Sequence, residues 1–300
     1  MSTTEQKPWQ KGVHIDIINA IKENYSEWNQ HSRSPFSEMN GPAIARAIDE
    51  GKLEEIKPFN ESEPVGWIET SIAKTSLMPS PELFIDAAEE STLLKLNLPD
   101  FTELCQSISD KLLSEGVEYQ NHYSKYNKSK SWGAISLRGY SQDPTFIENP
   151  KCMNDKWHKE HEGENFELQD TEMRALFPEV EKILEHIPGV YHRIRFMRLK
   201  PGGGELQRHT DQVEPDAGVR DERLIRLHVP IKTNPQVEFS AWNCDGEKRS
   251  TNMVQGSTWY LDIRKPHTAI NHGDDERIHL VIDVESNEKL RTLLRSGIEA

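Results

Sequence analysis

His209 and Asp211 stand one residue apart in the stretch ELQRHTDQ (205–212), directly after the turn Pro201-Gly202-Gly203-Gly204. In an extended chain, side chains two apart lie on the same side, so an imidazole and a carboxylate there can grip one cation together. A pair needs a third ligand. It is expected from a later strand near the same end of the sheet, and His267 in KPHTAIN, introduced by Pro266 at the opening of a strand, is the best placed of the later histidines.

Two histidines and one carboxylate take one face of an octahedron and leave three positions for a bidentate ligand and dioxygen, the facial arrangement of non-haem Fe(II) oxygenases. Such chemistry needs an electron source, and a 2-oxo acid cosubstrate needs a cation for its far carboxylate. Arg277 lies ten residues after His267, beyond the turn Gly273-Asp274-Asp275, where the adjacent antiparallel strand returns toward the metal. A guanidinium grips a carboxylate with two parallel charge-assisted hydrogen bonds, which lysine does not reproduce. Arg226 and His228 in RLIRLHVPI again lie two apart and share a face suited to anionic ligands, while Ile225, Leu227 and Val229 point the other way into a core.

Blander readings stand beside these. An HxD pair recurs by chance and gains meaning only with the distal His, the Arg and a β-rich context. Arg226 would otherwise be a barrel-rim ion pair and His228 a satisfied core histidine. His158 and His161 in WHKEHEGE imitate a metal pair at helical spacing, but the segment lacks apolar periodicity and reads as a solvated loop. Arg138, near Tyr140 in SLRGYS, is by default an outward arginine. Trp242 and Trp259 are more often core than substrate platforms.

The elements that position these residues follow from periodicity. After Gly189 come short β-rich runs, HRIRFMRL, ERLIRLHVPI, QVEFSAW, STWYLDI, HTAIN and RIHLVIDV, with no helix-length pattern between them. Parallel strands need long crossovers, so these pair antiparallel, and six or more suggest a double-sheet jelly roll or barrel. WGAISLRGY, 132–140, adds another strand. A helix is predicted from Pro178 to Ile187, and another after Asp100, where Asp100 and Glu103 make a capping box. In the latter, Phe101, Leu104, Cys105, Ile108 and Leu112 form an apolar stripe and Gly116 the stop. Upstream, Asp16 caps a helix carrying Ile17, Ile18, Ile21, Tyr25 and Trp28. Residues 29–90 read as a loop-rich cover with a short helix from Pro42 to Glu50. Residues 1–125 are thus expected to be a helical and loop-rich region packed on a jelly-roll domain at 126–300, and the Val213 to Glu222 loop a mobile lid.

Composition bounds the partners. The 300 residues are long enough for a substantial core, and 36 Lys plus Arg against 50 Asp plus Glu give a net charge of −14, which disfavours nucleic acid. Cys105, Cys152 and Cys244 are odd in number and far apart, arguing against a disulfide framework and for the cytoplasm. No stretch approaches the roughly 18 apolar residues that span a bilayer.

HTD at 209–211, RLH at 226–228, GSTWYLDIRKPH at 256–267 and the His267-to-Arg277 spacing make the chain resemble the Fe(II)/2-oxoglutarate dioxygenases, and among them the aspartyl/asparaginyl β-hydroxylase-like family. The resemblance covers about 190–285 well, 130–189 weakly and the first 125 residues hardly at all. It implies that His209, Asp211 and His267 bind iron, that Arg277 binds the C5 carboxylate of 2-oxoglutarate, that His228 meets its C1 carboxylate and that Arg226 faces substrate. Some animal members have Gly at the position of Asp211, so this chain carries the fuller triad. A Ser that helps hold the C5 carboxylate in them is replaced here by Met197, with Arg195 on the same face. The expected protein is a hydroxylase of an amino acid, a peptide side chain or a related small carboxylate. It would use Fe(II), 2-oxoglutarate and O2 and release succinate and CO2. The alternative is a non-catalytic cupin-like protein that holds a metal or small acid; such a binder has no need of a carboxylate clamp at the Arg277 offset. A halogenase of the same fold is disfavoured because Asp211 fills the halide position.

Overall fold

The computed structural model describes residues 91–300 other than 125, 210, 212–222, 243–247, 264–266 and the side chain of Trp242. The predicted helices before residue 51, the loop-rich stretch up to residue 90, the Val213 to Glu222 loop, Cys244 and Pro266 lie outside the described residues. The described part is mainly β. Strands β1 (Leu93–Lys95), β2 (Gln120–Asn121), β3 (Trp132–Gly139), β4 (Gln169–Asp170), β5 (Tyr191–Leu199), β6 (Gly204–His209) and β7 (Leu224–Lys232) are followed by β8 (Val237–Trp242), β9 (Lys248–Thr251), β10 (Trp259–Leu261), β11 (His267–Asn271), β12 (Arg277–Glu285) and β13 (Ile298–Glu299).

Eight of these are divided between two facing sheets. β5, β7, β10 and β12 lie in a major sheet ordered β13-β1-β10-β7-β12-β5-β3-β2, with β4 on β3, and β6, β8, β9 and β11 form a minor sheet ordered β6-β11-β8-β9. Their pairings are antiparallel, and sequential strands that switch sheets in this order make a jelly roll. Every run read as a strand is one. The reading missed β9 and the short flanking strands, which carry too few residues for alternation to show. β1, from the segment assigned to the N-terminal region, pairs with β10 inside the major sheet.

Period-two alternation divides the apolar residues between two cores. Ile194, Phe196, Leu227, Val229, Leu280 and Ile282 line the outer face of the major sheet beneath α1 (Thr102–Ser114) and α4 (Pro178–Leu184), which contribute Cys105, Ile108, Leu112, Val180 and Ile183. Met197, Leu199, Val281 and Leu261 meet Leu206, Phe239, Ala241 and Ala269 between the sheets. Both faces of the central strands are therefore covered, which is why β7 and β12 are buried almost throughout.

Helix boundaries differ from expectation for local reasons. The helix after Asp100 starts at Thr102: the Asp100 carboxylate accepts from Thr102 N and Oγ1 at 2.8 and 2.6 Å, and no side-chain cap bond forms at Phe101. Phe101 N instead donates to Gly256 O at 2.9 Å, so the entry is set by docking on the neighbouring turn rather than by a capping box. The helix after Pro178 ends at Leu184 and continues as a turn to Ile187, and α3 (Glu172–Leu176) precedes it. The His158 segment forms α2 (Asp155–Glu160) and not a loop. Asn154 Oδ1 caps it by accepting from Trp157 N, and Trp157 stacks on His161 at 4.1 Å. Arg138 faces outward, its guanidinium bonded to Tyr191 O and paired with Asp170. Among the described residues no helix is long and apolar enough to cross a membrane.

Candidate active site

His209 ends β6 and His267 begins β11, and the two are directly paired across the minor sheet. The glycines before β6 are required by the turn: Gly202 and Gly203 have φ of 72° and 90°, and a Cβ on Gly204 would meet Lys200 O at 2.1 Å. A register shift between His267 and Ala269 marks an irregularity in the pairing beside the histidines, a common device for aiming a side chain. Asp211 is fixed by its own backbone, its N–H donating to Ile263 O at 2.7 Å. The outcome is a cluster in which one ligand atom from each of His209, Asp211 and His267 lies within 4.8 Å of the others.

The donor set suits a divalent metal. His209 Nδ1 lies 2.7 Å from Gln207 O. A carbonyl only accepts, so Nδ1 carries the proton and Nε2, 3.2 Å from Asp211 Oδ1, is left with its lone pair among the three ligands. Tyr126 stacks on the His209 ring at 4.9 Å. Burial would raise the Asp211 pKa, but the adjoining His209, Arg226 and His267 hold it well below the usual carboxylate range. A ligand must be ionised to bind a metal, and this one is.

Two buried basic groups of residues flank the triad. On β7, Arg226 and His228 face the barrel interior, opposite Asp283 and Val281 of β12. Arg226 is clamped: Nε and Nη2 donate to the two Asp283 oxygens at 2.7 and 3.1 Å, and Nη1 donates to Asp211 Oδ2. Asp283 also meets Arg193 at 3.1 Å and Arg195 at 3.2 Å, both from β5. Burial opposes ionisation of Asp283, but Arg226, Arg193 and Arg195 together keep its carboxyl far below the ordinary value. The ion-pair reading of Arg226 therefore describes its contacts, with a metal-ligand candidate as one partner.

The other flank holds Arg277, 4% exposed, with His279, 1% exposed, two residues along the same strand face. Arg277 Nη2 lies 2.7 Å from His279 Nδ1, and His279 Nδ1 lies 3.4 Å from His228 Nδ1. Among the described residues no carboxylate pairs with Arg277, and burial alone pulls its pKa down to about 9. Burial and Arg277 likewise push both imidazoles well below their usual value, so His228 and His279 are neutral. The Phe239 ring bridges the two halves: it stacks on His267 at 6.3 Å and lies 6.0 Å from the Arg277 guanidinium carbon.

The structure thus brings the predicted His209, Asp211, His267, Arg226, His228 and Arg277 to one side of one barrel. Sequence reasoning missed His279, Asp283 and Phe239. For the first two the signal was present, since RIHLVIDV alternates and places Arg277, His279, Val281 and Asp283 on one face.

Residues 103–287 match the aspartyl/asparaginyl beta-hydroxylase family, and the chain belongs to it. A curated relative, the L-proline cis-4-hydroxylase of Rhizobium meliloti (strain 1021), is 32% identical over 88 residues, which are 29% of this chain and 28% of that protein. Among solved structures, a Pseudomonas putida prolyl-4-hydroxylase is similar over 69% of this chain and 98% of that one, at 13% identity and TM-score 0.38. A Trichoplax adhaerens prolyl hydroxylase bound to a hypoxia inducible factor peptide fragment is similar over 78% and 99%, at 11% identity and TM-score 0.40.

Proposed function

We propose that the protein is an Fe(II)- and 2-oxoglutarate-dependent hydroxylase acting on a C–H bond of an amino acid, a peptide side chain or a related small carboxylate. The observation that carries this reading is the pairing of a His209–Asp211–His267 cluster with a buried Arg277 that has no carboxylate partner among the described residues, across the face of Phe239. A protein that only held a metal would have no use for that second feature. Ferrous iron with its cosubstrate supplies the oxidation when bound: one oxygen of O2 enters the substrate as a hydroxyl, the other enters succinate, and CO2 leaves.

The chain's own residues bind, orient and shield. His209, Asp211 and His267 hold the metal, and the Gln207 carbonyl fixes the His209 tautomer. Arg277 takes the C5 carboxylate, and His228, whose buried Nε2 has no hydrogen-bond partner, meets the C1 carboxylate in the tautomer that carries its proton on Nε2. Arg226 holds Asp211 and carries the positive charge of the β7 flank, with Arg193 and Arg195 beside it. That field favours an anionic substrate, and the name of the Rhizobium relative points to a free amino acid of the proline type. Phe239, Ala241, Val281 and Leu206 keep bulk water from the interior. The catalytic domain comprises 126–300 together with β1 and α1, which pair with and pack on its major sheet. Three cysteines, odd in number and far apart in the sequence, favour a reducing compartment such as the cytoplasm.

The test is Fe(II) titration together with succinate formation and a mass-spectrometric screen of amino acids and peptides for a gain of one oxygen. Wild type should turn over 2-oxoglutarate, and His209→Ala and His267→Ala should lose both metal binding and succinate. Wild-type iron affinity in both variants would remove the site.

A further inference from the structure

We propose that His279 is a positioning residue for Arg277 and thereby sets the preference of this pocket for a 2-oxo acid that carries a second carboxylate. The inference rests on the 2-oxoglutarate reading above and adds to it the residue that aims the clamp. His279 and Arg277 project from the same face of β12 into the barrel, and the distance from Arg277 Nη2 to His279 Nδ1 is 2.7 Å. A guanidinium has no lone pair to offer, so it donates and the imidazole accepts. That fixes His279 in one tautomer, with the proton on Nε2, an atom that is buried and makes no hydrogen bond. Arg277 Nε is likewise buried without a partner. The guanidinium is therefore held at one end by a neutral acceptor while another of its donors stays available.

The chemistry of that acceptor matters. A buried arginine is ordinarily aimed by a carboxylate, as Arg226 is by Asp283. An acid beside Arg277 would orient the fork equally well but would neutralise it, and an incoming carboxylate would then meet a charge already paired and a like charge next to it. A neutral imidazole orients without neutralising. Arg277 keeps its full positive charge beside the uncharged His279 ring, with the uncharged His228 beyond it, and so matches one terminal carboxylate. Phe239 lies 6.0 Å from the guanidinium carbon and Met197 of β5 stands opposite His279, so Arg277 brings the charge that reads the distal end of the ligand.

The measurement is calorimetric binding to the Mn(II)-loaded protein under anaerobic conditions, which needs no turnover. Two ligands are compared: 2-oxoglutarate, and pyruvate, which has the same 2-oxo acid head and no distal carboxylate. His279→Leu removes the acceptor at similar size, His279→Asn retains an amide near the Nδ1 position, and His279→Gln carries its amide out toward Nε2. Leu and Gln should weaken 2-oxoglutarate by about tenfold or more while leaving pyruvate within about twofold, and Asn should stay within about threefold of wild type for both. A merely structural role would move both ligands together or neither. An unchanged 2-oxoglutarate-to-pyruvate ratio in the Leu variant overturns the proposal, as does an Asn variant that falls as far as Leu. Should the Leu variant not fold, the ratio in Gln against Asn decides. If wild type itself binds no 2-oxoglutarate, the functional reading fails. If wild type binds and the ratio does not respond, His279 alone is wrong.

Discussion

Arg226 and Arg277 are both buried and face the same barrel interior from neighbouring strands, yet they are held in opposite ways. Arg226 has its fork closed on Asp283 and a further nitrogen on Asp211, with Arg193 and Arg195 drawn to the same acid. Arg277 has an imidazole, an aromatic face and, among the described residues, no carboxylate. A buried charge is tolerated when its partner is part of the fold, and Arg226 meets that condition within the chain. Arg277 meets it when an acid arrives from outside. The same residue type is thus a brace on one flank and a receptor on the other, and the surroundings decide which.

The comparison breaks most visibly at Asp283. Asp283→Asn leaves Arg226, Arg193 and Arg195 buried without the carboxylate they share, and removing one partner of a buried pair typically costs about 3 to 5 kcal/mol. Denaturant unfolding should show a loss of that size at neutral pH. The sign with pH follows from the depressed carboxyl: its contribution is complete above the unfolded value of about 3.9 and is lost as pH falls toward the folded one. The gap between wild type and Asn should therefore be constant down to about pH 5 and narrow below about pH 4. A gap that stays constant into strong acid would mean the carboxylate charge is not what holds the three guanidiniums.

How much of this was legible beforehand differs between the flanks. Arg277 was found because its offset from His267 is set by one strand, one turn and a return, a local relation that spacing preserves. The jelly roll was legible for the same reason, since alternating runs with short links leave few ways to pair. Asp283 was not found, because its partners come from β5 and β7, whose registers against β12 no single run of residues specifies. His279 was passed over as one more strand residue, and only the direction of Arg277 Nη2 gives it a task. The His158 helix carries no apolar periodicity, and its start is set instead by Asn154, whose side chain caps it.

A smaller effect is expected at the receptor arginine when its charge is kept. Arg277→Lys retains a cation but loses the planar fork that meets a carboxylate with two bonds. Affinity for 2-oxoglutarate should fall at least about tenfold, since roughly 1.4 kcal/mol is one decade. Metal affinity should hardly change, because Arg277 is not among the clustered ligands. If the Lys variant titrates with the wild-type dissociation constant, the distal carboxylate is held elsewhere, and Arg195 or Arg198 of β5 becomes the candidate.

The smallest effect is the most telling. Arg277→Met replaces a buried guanidinium with a shorter unbranched apolar chain, and two opposing consequences follow for the protein without cosubstrate. The variant sheds a buried charge that has no carboxylate partner among the described residues, which is favourable, and it leaves His279 Nδ1 without its donor, which costs about 1 to 3 kcal/mol. These nearly cancel, so the unfolding free energy should move by less than about 1 kcal/mol, while binding of 2-oxoglutarate disappears. Asp283→Asn should do the reverse, lowering stability far more. Both are single changes to one member of a buried charged group, so a difference in sign or size cannot come from burial itself. A Met variant as destabilised as the Asn variant would show that Arg277 is also a brace, supported by contacts beyond His279 and Phe239, and the division between the two flanks would fall.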